Sequence, residues 1–475
     1  MEKIEEYFKD MIIKKGSTLD SFSSLNLPSF IRDWFIKKYQ NKDGNIDINL
    51  LNEKIKNIYP TKNTWNYFLN KLMVEKQEIK ILAKTDFLID LKTGRVTFSL
   101  KEFNIKNEQT YISFNVWNNI KDHILPSLEE VWGILTLKFL PINNKEMKIC
   151  LMDFKSFKPY KVDTNYFKIM SKNFDLNEWV DVILGACDYS SENMSNLNKL
   201  TLIYRLIPFV ENNVNLIELA PKGTGKSYMF SNLSKYVWNC SGGIMTRAKM
   251  FYDMHLKIHG LVSKYDVVAL DEISSIKFSD LDEMKGALKG YLESNIYNVG
   301  SMHGEGNASI ILLGNIHQDL MNINVKMFTE ITPLFNDSAI LDRFHGFIEG
   351  WNIPRMNESF KKNGWALNTE YYMEILHNLR NDPSYENLVR LLIYIPSDSD
   401  TRDTKAVIKL TTALTKLLFP YYQDVEDVDI NLFNQYCLLP ALKMRQIINK
   451  QLSLIDKEYQ NKEIKISIKK EYMEI

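Results

Sequence analysis

Ala220-Pro221-Lys222-Gly223-Thr224-Gly225-Lys226-Ser227-Tyr228 follows the apolar run Leu216-Ile217-Glu218-Leu219, so a strand leads into a glycine loop ending in Gly-Lys-Ser. That spacing suits the wrapping of phosphates. Gly223 and Gly225 let the backbone curl with its N–H groups inward, where a Cβ would obstruct. Lys226 would reach the β- and γ-phosphates of ATP, and Ser227 would offer its hydroxyl to Mg²⁺. Pro221, Lys222, Thr224 and Tyr228 complete the residues expected to touch the nucleotide. Ala220 departs from the motif, which has glycine there.

Farther along, Tyr265-Asp266-Val267-Val268-Ala269-Leu270-Asp271-Glu272 repeats the pattern of a buried strand, now ending in two acids. Four apolar residues in a row fit a strand covered on both faces, and its acids would sit at the C-terminal end beside the phosphate loop. Asp271 is expected to hold Mg²⁺ through water, and Glu272 to act as general base on the attacking water. Ser309-Ile310-Ile311-Leu312-Leu313-Gly314-Asn315 is a third such strand. Its terminal Asn315 would orient the lytic water, a capping or turn asparagine being the alternative. Arg343, in Leu341-Asp342-Arg343-Phe344-His345-Gly346, is the candidate for an arginine that reaches a neighbour's site in trans; an Asp342–Arg343 surface pair is the plain alternative.

Those strands imply an α/β core, a parallel sheet sandwiched by helices. Between the acid strand and the Asn315 strand, residues 282–292 read as a helix and residues 296–307 as a hairpin. In ring ATPases a hairpin in that place points into the pore, which makes Lys285, Lys289 and His303 candidate contacts to DNA. The stretch after residue 356 reads as four helices, the size of a lid. Arg402 sits where lid helices carry a phosphate-sensing arginine, with Lys405 as rival.

Composition bounds the rest. The 475 residues are 45% hydrophobic and 25% charged, enough for two or three domains with ordinary cores. The 59 basic and 59 acidic residues cancel, so a nucleic-acid surface would have to be local. Four scattered cysteines without a Cys-x-x-Cys pair argue against a zinc ribbon or a disulfide framework. His255 and His259 lack the glutamate of a zinc protease between them. The first residues have no basic-then-apolar leader order, and no apolar run approaches the roughly 18 residues that span a bilayer, so a cytoplasmic protein without membrane contact is expected.

Residues 1–165 carry no nucleotide motif. They read as an α+β domain with helices over 27–39 and 63–74, then strands from 76 to 100 that include a turn at Thr93-Gly94. Helices followed by a hairpin suggest a winged-helix-like reader of DNA, and Lys54, Lys56, Lys62, Lys71, Lys76, Lys80 and Lys84 crowd together there; a solvated face explains such a cluster equally well. The division expected is thus 1–165, a core over 166–355, and a helical lid and tail over 356–475.

The loop motif, Ser241-Gly242-Gly243 with Thr246-Arg247-Ala248-Lys249, residues 266–272, Gly286 to Ser294, residues 342–346, Gly350-Trp351 and Ile353-Pro354-Arg355 together resemble the BrxL family, Lon-related ATPases of BREX phage-defence systems. The resemblance is dense from about 174 to 420 and looser before it. It implies an AAA+ ATPase ring, expected to be a hexamer or stacked hexamers, that binds double-stranded DNA and acts against phage, alongside other proteins of the defence system. Lon-like members continue into a Ser-Lys protease domain; the stretch after Arg402 is too short for one, so no peptidase activity is expected. Two further readings stay open: an unfoldase serving a separate protease, and a nucleotide-gated DNA scaffold with little turnover. Against the first, Ser241-Gly242-Gly243-Ile244-Met245 lacks the aromatic of a polypeptide-gripping pore loop.

Overall fold

The computed structural model describes residues 2–16, 27–90, 94–124, 131–143, 146–158, 160, 162–255 and 257–472. Thr93 of the expected turn lies outside them. The chain forms two compact units, one made of Met1–Lys37 with Val162–Ile475, the other of Lys38–Lys161. The expected boundary at 165 is therefore corrected: the first 37 residues belong with the nucleotide-motif unit.

The reason is a buried seam of charge and backbone. Strand Ile12–Lys15 pairs antiparallel with Gly364–Leu367. Lys15, wholly buried, puts its ammonium 2.7 Å from Asp188 Oδ1 and 3.0 Å from both the Gly185 carbonyl and Thr369 Oγ1. Arg32, on helix Ser29–Tyr39, donates to Asp188 Oδ1 at 2.7 Å and to Asp33 Oδ1 at 2.6 Å. A buried cation persists only when its carboxylates are in place, so the cluster fixes this segment's position.

The unit Lys38–Lys161 is a closed barrel of five strands, Ile79–Ile89, Val96–Ser99, Thr110–Ile112, Val131–Asn143 and Glu146–Ser156. The first pairs antiparallel with the second and the fourth, and the third runs parallel to the fifth. Helix Phe114–Ile124 connects the third to the fourth. This is the connectivity of an OB-type barrel, and it replaces the winged-helix expectation. Closure follows from alternation: Ile79, Ile81, Ala83 and Phe87 of the first strand enter the same buried cluster as Phe98, Leu135, Leu137 and Phe154. The expected helix over 63–74 is a short helix, Trp65–Leu69, continued by a π-turn, Asn70–Val74.

The other unit is built on five parallel strands. Their order is edge strand Gly346–Glu349, loop strand Leu216–Ala220, asparagine strand Ser309–Asn315, acid strand Val267–Asp271 and outer strand Val237–Ser241. All five residues of both the loop strand and the acid strand are buried, as a sheet covered on both faces requires. Helix Thr401–Leu418 packs on Ile207–Val210 and on helix Leu439–Ile455, and the latter lies against the edge strand, with Met444 Cβ 3.0 Å from where a Cβ on Gly346 would stand. These C-terminal helices, expected as a lid, are thus part of the sheet's own cover. The hairpin expected after the acid strand is present as Ile296–Val299 paired with Met302–Glu305.

Candidate functional site

Parallel pairing brings the strand ends level. Ala220 lies opposite Asn315, and Asp271 opposite Ser241, so the glycine loop, the acids and the asparagine share one end of the sheet. Gly223 and Gly225 adopt φ of +84° and +76°, left-handed conformations in which a side chain is strained. Helix Lys226–Asn232 starts directly after Gly225. The Lys226 ammonium donates to the Ala220 and Pro221 carbonyls at 3.2 and 3.1 Å and to Asn315 Oδ1 at 3.3 Å. Burial lowers its pKa, against the pull of Glu218 and Asp271.

Ser227 Oγ donates to Asp271 Oδ2 at 2.5 Å, and Ser241 Oγ reaches the same oxygen at 3.3 Å. The loop serine and the strand acid are therefore one unit before any ion is considered. Glu272 stands next to them, exposed, with φ of +51°. Its carbonyl accepts from the Ser275 N–H at 2.7 Å and hydroxyl at 2.9 Å, which holds the turn. A non-glycine residue in this conformation costs on the order of 1 kcal/mol.

The sequence reading missed the support beneath the loop. Arg205 and Glu218, both with fully buried side chains, form a two-pronged pair at 2.9 and 2.6 Å, and Arg205 Nη1 donates to the Thr224 carbonyl at 2.8 Å. Burial acts to lower the Arg205 pKa, but Glu218 more than offsets it and the guanidinium is held above its ordinary value. One signal was available: a glutamate inside Leu-Ile-Glu-Leu-Ala must find a buried cation. Tyr228 is likewise tied back, its hydroxyl donating to Asp188 Oδ2 at 2.7 Å, with Ser29 Oγ on the same oxygen at 2.8 Å. Burial would raise the Asp188 pKa, yet Arg32 and Lys15 hold it well below the usual carboxylate range.

Arg343, Arg402 and Lys405 are not brought to the loop. Gly346 pairs with Leu216, and His345 exchanges hydrogen bonds with Asn215, so residues just before Gly346 lie at the strands' N-terminal end. Five strand residues separate that end from the glycine loop by roughly 16 Å. There Arg343 Nε lies 2.9 Å from Glu293 Oε2, and Arg402 donates to Glu293 Oε2 at 3.0 Å and to Asp342 Oδ2 at 2.6 Å. Lys405 donates to the Glu293 carbonyl at 2.6 Å, and Arg445 pairs with Asp342 and Asp403. The expected position of Arg402 over its own phosphates is thus corrected: its helix packs at the far end of the sheet. Of the candidate DNA contacts, Lys285 and Lys289 both lie within ion-pair reach of Asp337, and His303 is exposed on the hairpin with its Nδ1 on Asn298.

Residues 149–465 match the family described as "Lon-like protease BrxL-like, ATPase domain". The chain belongs to the BrxL family. Residues 6–139 match the N-terminal region of the BREX system Lon protease-like protein BrxL. Two similar relatives bear the name Lon-like protease BrxL. The Escherichia coli O9:H4 (strain HS) protein is 28% identical over 461 residues, covering 94% of this chain and 64% of the relative. The Bacillus cereus (strain H3081.97) protein is 26% identical over 486 residues, covering 97% and 70%. This BrxL-family chain therefore spans under two thirds of the length of the E. coli relative. The ATPase-domain match contains Gly223 to Tyr228, Asp271, Glu272 and Asn315, together with Arg205 and Glu218 beneath the loop. Among the described residues, no helix is long and apolar enough to cross a membrane.

Proposed function

We propose that this chain is an AAA+-type ATPase subunit that hydrolyses ATP with Mg²⁺ and works as a ring on double-stranded DNA in BREX-type phage defence. The observation that carries the reading is the meeting of Lys226, Ser227, Asp271, Glu272 and Asn315, from three strands far apart in sequence, at one end of one sheet. An asparagine strand between the loop strand and the acid strand supports the AAA+ assignment.

Each residue then has a task. The loop N–H groups and Lys226 bind the phosphates, and Asn315, already on Lys226, positions the attacking water. Glu272 takes the proton of that water. Among the described residues no cluster of three His, Cys, Asp or Glu could cage a metal, and Ser227 with Asp271 suits Mg²⁺, which is held by few protein oxygens and by substrate phosphates. When bound, the ion supplies charge neutralisation on those phosphates. Arg343, at the opposite end of the sheet, would serve a neighbouring subunit, and a closed ring satisfies that geometry. For DNA, the OB-type barrel with lysines on its first strand and flanking helices supports contact to the phosphate backbone. The two matched regions are an N-terminal and an ATPase region, and no proteolytic step is proposed.

The test is ATP turnover by the purified protein with and without duplex DNA, beside Lys226→Ala and Glu272→Gln. Turnover raised by DNA and lowered about 100-fold or more in both variants is expected. DNA binding without turnover would replace the motor with a nucleotide-gated scaffold, and indifference to DNA would redirect the search to protein substrates.

A further inference from the structure

Two groups outside the glycine-loop motif face its two left-handed glycines. The first is Arg355, in the segment that follows the edge strand. That segment is fastened to the loop by its backbone, the Met356 N–H donating to the Gly223 carbonyl at 2.8 Å. The Arg355 side chain then runs along Gly223, its Cγ and Nε standing 3.2 and 3.3 Å from the point a Cβ there would occupy. Arg355 is exposed, and none of the ion pairs of the described residues involves it. A guanidinium so placed contrasts with Arg205, Arg343, Arg402 and Arg445, each of which has its carboxylate.

The second is Tyr189. Only 6% of its surface is exposed, and its hydroxyl has no hydrogen-bond partner among the described residues. That oxygen lies 2.8 Å from where a Cβ on Gly225 would stand. Its backbone N–H is bonded to the Leu184 carbonyl at 2.9 Å, and its ring meets Tyr228 edge-on. Burial raises the pKa of the phenol, so it is a neutral O–H donor at neutral pH. Leaving a buried hydroxyl unmet costs about 1–3 kcal/mol, and a site that carries such a cost beside a phosphate loop is prepared for an acceptor.

We propose that Arg355 and Tyr189 are nucleotide-binding residues of this chain's own site, the guanidinium pairing with phosphate oxygens and the phenol donating to an oxygen of the same triphosphate. The inference rests on the reading of Gly223 to Ser227 as a phosphate loop. It assigns the cis cation of the site to the segment after the edge strand, a role that Arg402 does not fill from the far end of the sheet.

Equilibrium titration of the full chain with a fluorescent ATP analogue tests this, with the parent protein and Lys226→Ala as controls. Arg355→Ala is expected to weaken binding about tenfold or more, and Arg355→Lys to recover only part, because a lysine keeps the charge and loses the fork. Tyr189→Phe is expected to weaken binding about threefold to tenfold. Its thermal midpoint without nucleotide should equal or exceed the parent's, since an unmet buried hydroxyl has been removed. A lowered midpoint would mean that the hydroxyl has a structural partner, and would overturn its assignment. Affinities within twofold of the parent in Arg355→Ala and Tyr189→Phe, while Lys226→Ala fails to bind, would overturn the proposal and leave the phosphate loop intact. A parent protein that does not bind the analogue would sink the phosphate-loop reading, and this inference with it.

Discussion

The two ends of the parallel sheet handle charge in opposite ways. At the C-terminal end, Glu272 is exposed on a strained turn, Arg355 has no carboxylate and the Tyr189 hydroxyl has no acceptor among the described residues. At the N-terminal end, Arg343, Arg402 and Arg445 are all matched to Glu293, Asp342 or Asp403. One end is left electrostatically incomplete, and the other neutralises itself. Incompleteness is what a ligand can exploit, because a group already paired must break its pair before it binds anything else.

The largest expected effect tests whether the self-neutralised end nevertheless acts in turnover. Arg343→Ala should lower ATP turnover about 1,000-fold or more while leaving affinity for the ATP analogue unchanged, as an arginine supplied to a neighbour requires. Loss of affinity instead would place Arg343 at its own nucleotide and break the contrast between the ends. Next comes the support of the incomplete end. Glu218→Gln leaves Arg205 buried without its counter-charge, so denaturant unfolding should register a loss of about 3–5 kcal/mol.

A smaller effect concerns His345, at the N-terminal end of the sheet beside Asn215. Burial, with Lys409, Lys405 and Arg445 adding, holds its pKa well below 6.5, and its Nδ1 accepts from the Asn215 N–H. The unfolded chain protonates below pH 6.5 and the folded one does not, so this stability is fully present above pH 6.5 and is lost as pH falls below it. Glu370 has the opposite sign: burial, opposed by Lys235 and reinforced by Glu374, pushes it from 4.5 up to about 8, so its contribution falls as pH rises through that range. The measurement is therefore the difference between the parent and His345→Gln in unfolding free energy from pH 7.5 to 5.5, expected to be about 1 kcal/mol. Equal slopes would remove His345 from the account. The smallest effect is Glu293→Gln. Glu293 is 42% exposed, so stability should change by less than about 1 kcal/mol, and a larger loss would show that the far end depends on this one acid.

Much of the loop end was legible because its signals are local. A glycine spacing, two acids after an apolar run and one asparagine after another each need only a strand to position them, and the parallel register did the rest. The five-strand barrel was not legible, because closure depends on pairing Ile79–Ile89 with Val131–Asn143 across a long sequence separation. Arg402 was misplaced for a related reason: its position follows from which face of the sheet its helix covers, and no residue within that helix encodes it. Arg205 and Tyr189 lie before the motif, just past the ends of helices Asn196–Tyr204 and Leu176–Ala186 and without a motif of their own, and only the fold brings them under and beside the loop.

The seam around Lys15 decides how this protein can be cut. A fragment starting near residue 165 looks like a natural ATPase piece, yet it would discard Lys15, Ser29, Arg32 and Asp33 and strand Asp188 in the interior without a counter-ion. Such a piece would be an aggregation hazard whatever the quality of its glycine loop. The unit that keeps this seam whole is instead a discontinuous one, residues 1–37 together with 162–475, since the barrel is an insertion within its sequence.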